Sequence, residues 1–196
     1  PDNGGKVRNG TLGIYFRDED SKGRVFKVDG FVSRSLFDLW SNFTFFLNDD
    51  VNGDEIQQHD SRLQEGVNFQ FLQPLRYGNV IGVFTAGGNI HANQINVGMY
   101  LSQSRTPFAN FSKADAKVTN SGTYVQQTFD LFDGHLHFGV GLRYDYFNFK
   151  VDDFVSPDFS GQDAEGKFQP KFNLAYTPKH QIPFTLHFNY GRGITS

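Results

Sequence analysis

Chemistry in this chain could rest on few residues. His135 and His137 stand two positions apart, His187 follows in a later segment, and His91 precedes them. Imidazoles on one face of an extended segment could ligate zinc or a haem iron, but spacing fixes no third or fourth ligand, so a solvated polar role competes with that reading. Asp50, Asn52 and Asp54 invite calcium. Gly53 falls where the EF-hand pattern has no glycine, however, which leaves a solvated acidic loop. Gly139-Val140-Gly141 and Gly191-Arg192-Gly193 look superficially like phosphate-binding turns, yet neither opens a helix. No Ser, His and Asp set has triad spacing and Gly-x-Ser-x-Gly is absent, so no catalytic residue is marked and no enzyme is expected. No cofactor is implied. With no Cys, disulfides, thiolate metal sites and cysteine catalysis are excluded, and a net charge of -3 argues against nucleic acid as a partner.

The remaining polar candidates, Arg143, Asp145, Lys171 and His187, share a pattern that points to the elements carrying them. From Leu136 to Tyr146 every even position is apolar or aromatic, while the odd ones are His137, Gly139, Gly141, Arg143 and Asp145. Period two is the mark of a strand with two unlike faces. Asp133-Gly134 closes a hairpin before it, since both residues tolerate positive φ. The parity returns in Phe168, Phe172, Leu174 and Tyr176 against Lys167, Gln169, Lys171 and Asn173, and again in Phe184, Leu186, Phe188 and Tyr190. Further strands are predicted over residues 11–17, 24–31, 37–47, from Val67 to just before Pro74, over 80–102, and from Val125 to Phe132. The total is about nine.

Two architectures share this alternation. A soluble sandwich buries the apolar face, whereas a transmembrane barrel turns it to lipid and keeps a polar lumen. No stretch reaches the roughly 18 apolar residues of a membrane helix, and a mean hydropathy of -0.47 does not exclude a barrel, because alternating strands escape hydropathy averages. Connections favour the barrel. Short ones are expected at Ser33 to Ser35, Arg76 to Asn79, Asp133-Gly134 and Pro178 to Gln181, and long ones at Asn48 to Leu63, Ser104 to Asn120 and Val151 to Gly166, the asymmetry of outer-membrane barrels. The 16% aromatic content, with 23 Phe, fits a lipid-facing surface. Tyr144, Tyr146, Phe147 and Phe149 suit an interfacial girdle.

Gly141-Leu142-Arg143-Tyr144-Asp145, the run from Gln169 to Tyr176 with Pro178, and Asn189-Tyr190-Gly191-Arg192-Gly193 come in the order and spacing found in the barrels of TonB-dependent receptors, which the chain resembles over most of its length. Phe37 to Leu47 with Asn52-Gly53-Asp54 and Gln57-Gln58 is similar to a strand and outer loop of that family. The resemblance implies an all-β antiparallel transmembrane barrel, here in part. Residues 1–196 would belong to a single barrel domain, with the plug, signal peptide and C-terminal strands absent. It further implies active uptake of a scarce ligand such as a ferric siderophore or another metal chelate, a place in the bacterial outer membrane, lipid around the barrel, and coupling to TonB through a missing N-terminal part. Arg143, Asp145, Lys171 and His187 would face the lumen as weak ligand-binding candidates, with unlike charges on adjacent strands pairing, and Arg143→Leu would change folding little. A passive porin and a soluble carbohydrate-binding sandwich are the other readings.

Overall fold

The computed structural model describes residues 3–179 and 184–193. Eight strands form one antiparallel sheet in sequence order: β1 (Gly4–Glu19), β2 (Val25–Ser41), β3 (Glu55–Tyr77), β4 (Val80–Gln103), β5 (Thr106–Leu131), β6 (Leu136–Asp153), β7 (Gly161–Tyr176) and β8 (Leu186–Gly191). The sheet is partial and not closed, β1 and β8 being its edges. It is all-β apart from a single 3₁₀ turn, Pro157–Phe159. Among the described residues no second sheet packs on it and Trp40 is the only buried large hydrophobic side chain. A sandwich has a core between two layers, so that alternative is not this fold.

Several predicted boundaries shift. Residues 11–17 and 24–31 belong to the long β1 and β2, whose turn is Asp20 to Arg24, and Ser33 to Ser35 lies inside β2. Asp20 fixes that turn: its carboxylate accepts the backbone amides of Lys22 and Arg24 and the Arg24 side chain. β3 runs through Pro74 to Tyr77, and Gly78 (φ 59°) supplies the positive φ for the Gly78-Asn79 turn. β2 ends at Ser41, so Phe43, Phe45 and Leu47 belong to the connection 42–54. The predicted loop from Ser104 to Asn120 is a two-residue turn, Ser104 and Arg105, both with positive φ, followed by the longest strand. Ser, Thr, Asn and Lys there suggested a loop, but a strand whose outer face meets water can carry them equally well. Because the predicted 24–31 and 37–47 strands share the single β2, the described residues form eight strands rather than about nine.

The register shows why. Call one side of the sheet the Leu142 face and the other the Arg143 face. Pairing places Leu12, Ile14 and Phe16 of β1, Val32 and Val28 of β2, Val67 and Phe69 of β3, Ile90 of β4, Val125 and Phe129 of β5, and Phe138 to Tyr146 of β6 on the Leu142 face. This apolar band starts at the tight-turn end and covers Val67 to Tyr77, Ser121 to Leu131 and Leu136 to Tyr146 on three of the strands. Each stretch matches the 9–11 residues a strand needs to cross a bilayer. Beyond it the strands continue and the alternation changes phase. The Leu142 face becomes polar (Gln94, Asn96, Lys117, Lys150), and the Arg143 face becomes apolar (Val97, Ala116, Val118, Phe147, Phe149). No bulge interrupts β6, so the residue types invert while the pleat does not. Phe147 and Phe149, stacked 5.9 Å apart, therefore leave the expected girdle for the opposite face from Tyr144 and Tyr146.

Candidate functional site: a polar belt on the Arg143 face

Where the apolar band ends, the opposite face carries a belt of polar side chains with two hydrogen-bonded clusters. Asp29, Asn68, Asn89, Gly122, Asp145 and Lys167 are successive register partners from β2 to β7. On its β2 side, Asn68 donates to Asp29 at 2.6 Å and bonds His91 at 2.8 Å, while the His91 ring meets Phe31 edge-on. Hence His91 is a wall residue tied to a neighbouring strand.

At the centre the bonds close into a ring. Arg143 Nη2 donates to Asn89 Oδ1 at 2.7 Å, Asn89 Nδ2 donates to Asn120 Oδ1 at 2.8 Å, and Asn120 Nδ2 reaches Asp145 Oδ1 at 3.5 Å. Asp145 returns to Arg143 through bonds from Nη2 at 2.5 Å and Nε at 2.6 Å, and also accepts Gln169 Nε2 at 2.5 Å. A carboxylate only 4% exposed needs this many donors, since burying a charge is costly unless it is paired and bonded. Charge-assisted bonds of this kind are stronger than neutral ones. The guanidinium also lies over the Tyr124 ring at 5.9 Å, and Tyr124 accepts a bond from Gln70. Gly122 leaves the room: a Cβ there would overlap Arg143 and Asp145.

The four candidates separate. Arg143 and Asp145 form the centre of the belt, and Lys171 lines one shallow depression with Arg143, Tyr124 and Gln126. His187 pairs with Ala175, beside His137, several residues nearer the tight-turn end, and is not part of the belt. Among these four residues the ion pair, Arg143–Asp145, lies within β6, and the links to β4, β5 and β7 are amides. Arg143→Leu would strand a buried carboxylate, so the expectation that it changes folding little does not hold.

His135 Nδ1 lies 2.8 Å from the Thr177 carbonyl, and His137 Nδ1 lies 2.7 Å from Asp130. No group of three or more metal-ligating side chains gathers among the described residues. Asp54 folds the 42–54 connection from inside, accepting from Thr44, Asn48 and Asp49. Those bonds hold its carboxyl below the ordinary range, the Thr44 hydroxyl contributing most. Gln169 stood on a predicted polar face and opens one of the family motifs, while the belt partners Asn89, Asn120 and Tyr124 carried no mark of their own in the sequence. Only the parity of their strands could have found them, and Asn120 was hidden by reading its segment as a loop.

A long antiparallel meander with a bilayer-length apolar band on one face and a satisfied polar belt on the other defines a wall of a transmembrane β-barrel. The sequence matches the TonB dependent receptor-like β-barrel family over residues 2–196, and the chain belongs to that family. Similar solved structures include the ferric citrate transporter FecA in its unliganded form (TM-score 0.72, 14% identity, covering 94% of this chain and 27% of that one). The ferric yersiniabactin uptake receptor FyuA from Yersinia pestis is also similar (0.62, 12%, 90% and 27%). So is BauA, the ferric preacinetobactin receptor from Acinetobacter baumannii (0.62, 13%, 88% and 29%). At these identities the likeness shows the fold, and the chain spans less than a third of each of those proteins. No curated protein matches.

Proposed function

We propose that this chain is part of the barrel wall of an outer-membrane receptor that actively takes up a scarce extracellular ligand, a ferric siderophore or a similar metal chelate, with energy drawn from TonB. Membership of the family carries the reading. The phase inversion supports it, because a band facing lipid and a longer stretch facing water describe a barrel that projects well past the bilayer. In this reading the Leu142 face is outside and the Arg143 face lines the lumen. The tight-turn end is periplasmic, and 42–54, 104–105 and 154–160 are extracellular. Arg143 and Asp145 are wall-stiffening residues first, and Lys171 is the better candidate of the four to meet a passing anionic ligand. Phe147 and Phe149, above the belt, line the mouth. Coupling to TonB and the plug belong to parts of the protein outside this chain, which is one piece of a single barrel domain.

The test is uptake by cells making the full receptor. Radioactive iron is supplied as citrate, catecholate and hydroxamate chelates, with and without a protonophore. Saturable uptake of at least one chelate, abolished by the protonophore, is expected. Uptake that the protonophore leaves unchanged would make the protein a passive porin.

A further inference from the structure

Above the belt the Arg143 face changes character. Ile95 and Val97 of β4, Ala116 and Val118 of β5, and Phe147 and Phe149 of β6 form one apolar patch, knit by the register pairs Ile95–Ala116 and Val118–Phe149. The two phenyl rings lie parallel within 7°, and Phe149 is 40% exposed, so the stack is within reach of a molecule on this side of the sheet. Carboxylates stand beside the rings. Asp163 is the direct register partner of Phe149, and Glu165 that of Phe147. Glu165 reaches Lys167 at 3.4 Å, whereas the exposed Asp163 accepts only the neighbouring Ala164 amide among the described residues.

Charge on this part of the face is one-sided. Among the described strands the Arg143 face carries one cation above the belt row, Arg62, and Asp60 answers it at 2.7 Å within β3. Lys167, in the belt row itself, is answered by Glu165. Asp153 and Asp163 are left without a cation, Asp153 accepting the Val155 and Ser156 amides.

A wall of phenyl and aliphatic groups with surplus carboxylate suits an apolar molecule that is neutral or cationic, because ring faces and carboxylates both attract positive charge. It also works against anions, and a repulsion built against one ligand is discrimination in favour of another. Iron(III) chelates divide on this property. Three hydroxamates, each with a single negative charge, neutralise the ion and turn methylene and amide groups outward. Three doubly charged catecholates leave a trianion, and citrate leaves a net negative complex. Such an anion would meet these carboxylates before Lys171, which lies beyond Lys167 toward the tight-turn end of β7.

Resting on the receptor reading above, we propose that this wall selects its substrate by charge. The chelate taken up is a neutral or singly cationic ferric trihydroxamate that seats on Phe147 and Phe149, and Asp163 with Asp153 turns polyanionic chelates away.

The experiment measures protonophore-sensitive iron uptake by cells in which the full protein is the one receptor of its family, normalised to receptor at the surface. The probes are ferrichrome (a neutral trihydroxamate), ferrioxamine B (a trihydroxamate with a spare ammonium), ferric enterobactin (a triscatecholate) and ferric citrate. At least one hydroxamate should be taken up with half-saturation about tenfold or more below that of either anionic chelate. Phe147→Ala/Phe149→Ala should raise the hydroxamate half-saturation about tenfold, the scale of one lost aromatic anchor. Asp163→Lys should leave hydroxamate uptake within about twofold, yet let the anionic chelates compete at roughly tenfold lower concentration, an advantage that added salt reduces. Lys117→Gln, on the Leu142 face, should change none of these. Preferred uptake of ferric enterobactin or ferric citrate, competition by them that Asp163→Lys leaves unchanged, or hydroxamate uptake indifferent to the loss of both phenyl rings would overturn the proposal while leaving the receptor reading intact. Absence of protonophore-sensitive uptake of all four chelates would instead overturn the reading on which it rests.

Discussion

Arg143 and Asp145 show how one face of a sheet can be polar and rigid together. Removing one member of a buried, bonded pair costs more than the pair contributes, because the survivor is left charged in a poor environment. Asp145 is the deeper of the two. Arg143→Leu should therefore lower the unfolding free energy of the full receptor by about 2–4 kcal/mol, whereas Arg143→Leu/Asp145→Leu should recover most of that loss. Urea unfolding in detergent reads both, and additive effects in the double variant would mean that the ring is not a unit. Gly122→Ala tests the same ring from beneath. The added methyl has nowhere to go, so it should cost about 1–3 kcal/mol without removing any polar atom.

At the scale of the element, the connection 42–54 is held by two carboxylates, Asp49 accepting from Val51 and Asn52, and Asp54 gathering the strand-side residues. Asp54 is kept below its ordinary pKa by bonds from Thr44, Asn48 and Asp49. A depressed folded-state pKa means that this contribution is complete above the unfolded value, about 3.9, and is lost as pH falls through the folded one. Hydrogen exchange at the Asn48 and Asp49 amides should thus stay slow at neutral pH and lose protection in acid beyond the change intrinsic to the chemistry. Asp54→Asn should remove that extra pH dependence at the Asn48 amide while leaving the part that Asp49 imposes on Val51 and Asn52, and a variant that kept it at Asn48 would show that another group holds that end of the loop.

The elements also explain what could be read in advance. β6 was legible almost residue by residue, because hydrophobic contrast between the two faces of the sheet writes period two into the sequence. The upper parts of β4 and β5 were not. There one face meets water, the other carries side chains as small as Ala114 and Ala116, set opposite Val97 and Ile95, and the apolar face is the reverse of the one below, so the pattern that betrays a strand loses its phase. What holds those segments extended is pairing with neighbours, which is nonlocal. The belt was half legible for the same reason: Arg143 and Asp145 stand out on a clear strand, while Asn120 takes its meaning only from the register that sets it between Asn89 and Asp145. The Trp40 site is similar. Lys6 and Arg105 meet its ring at 5.6 and 5.2 Å from residues far away in sequence, so nothing in its own strand marks Trp40 as a cation–π anchor.

For the whole molecule, the absence of a second layer decides what solvent it needs. Val67, Ile90, Phe168 and Phe188 are half exposed or more, and this face stays in water unless lipid, detergent or another copy covers it. β1 and β8 additionally present unpaired strand edges, which invite association. A contiguous apolar surface of this extent is far beyond what soluble monomers tolerate. Residues 1–196 prepared alone should therefore sediment as aggregates in plain buffer. In detergent micelles the same chain should show the β-sheet circular dichroism signal and remain in solution, because the micelle supplies the apolar contact that the fold itself lacks. A monodisperse, folded species in buffer without any amphiphile would mean that the apolar band is buried within the chain after all, and the membrane assignment of the Leu142 face would fall with it.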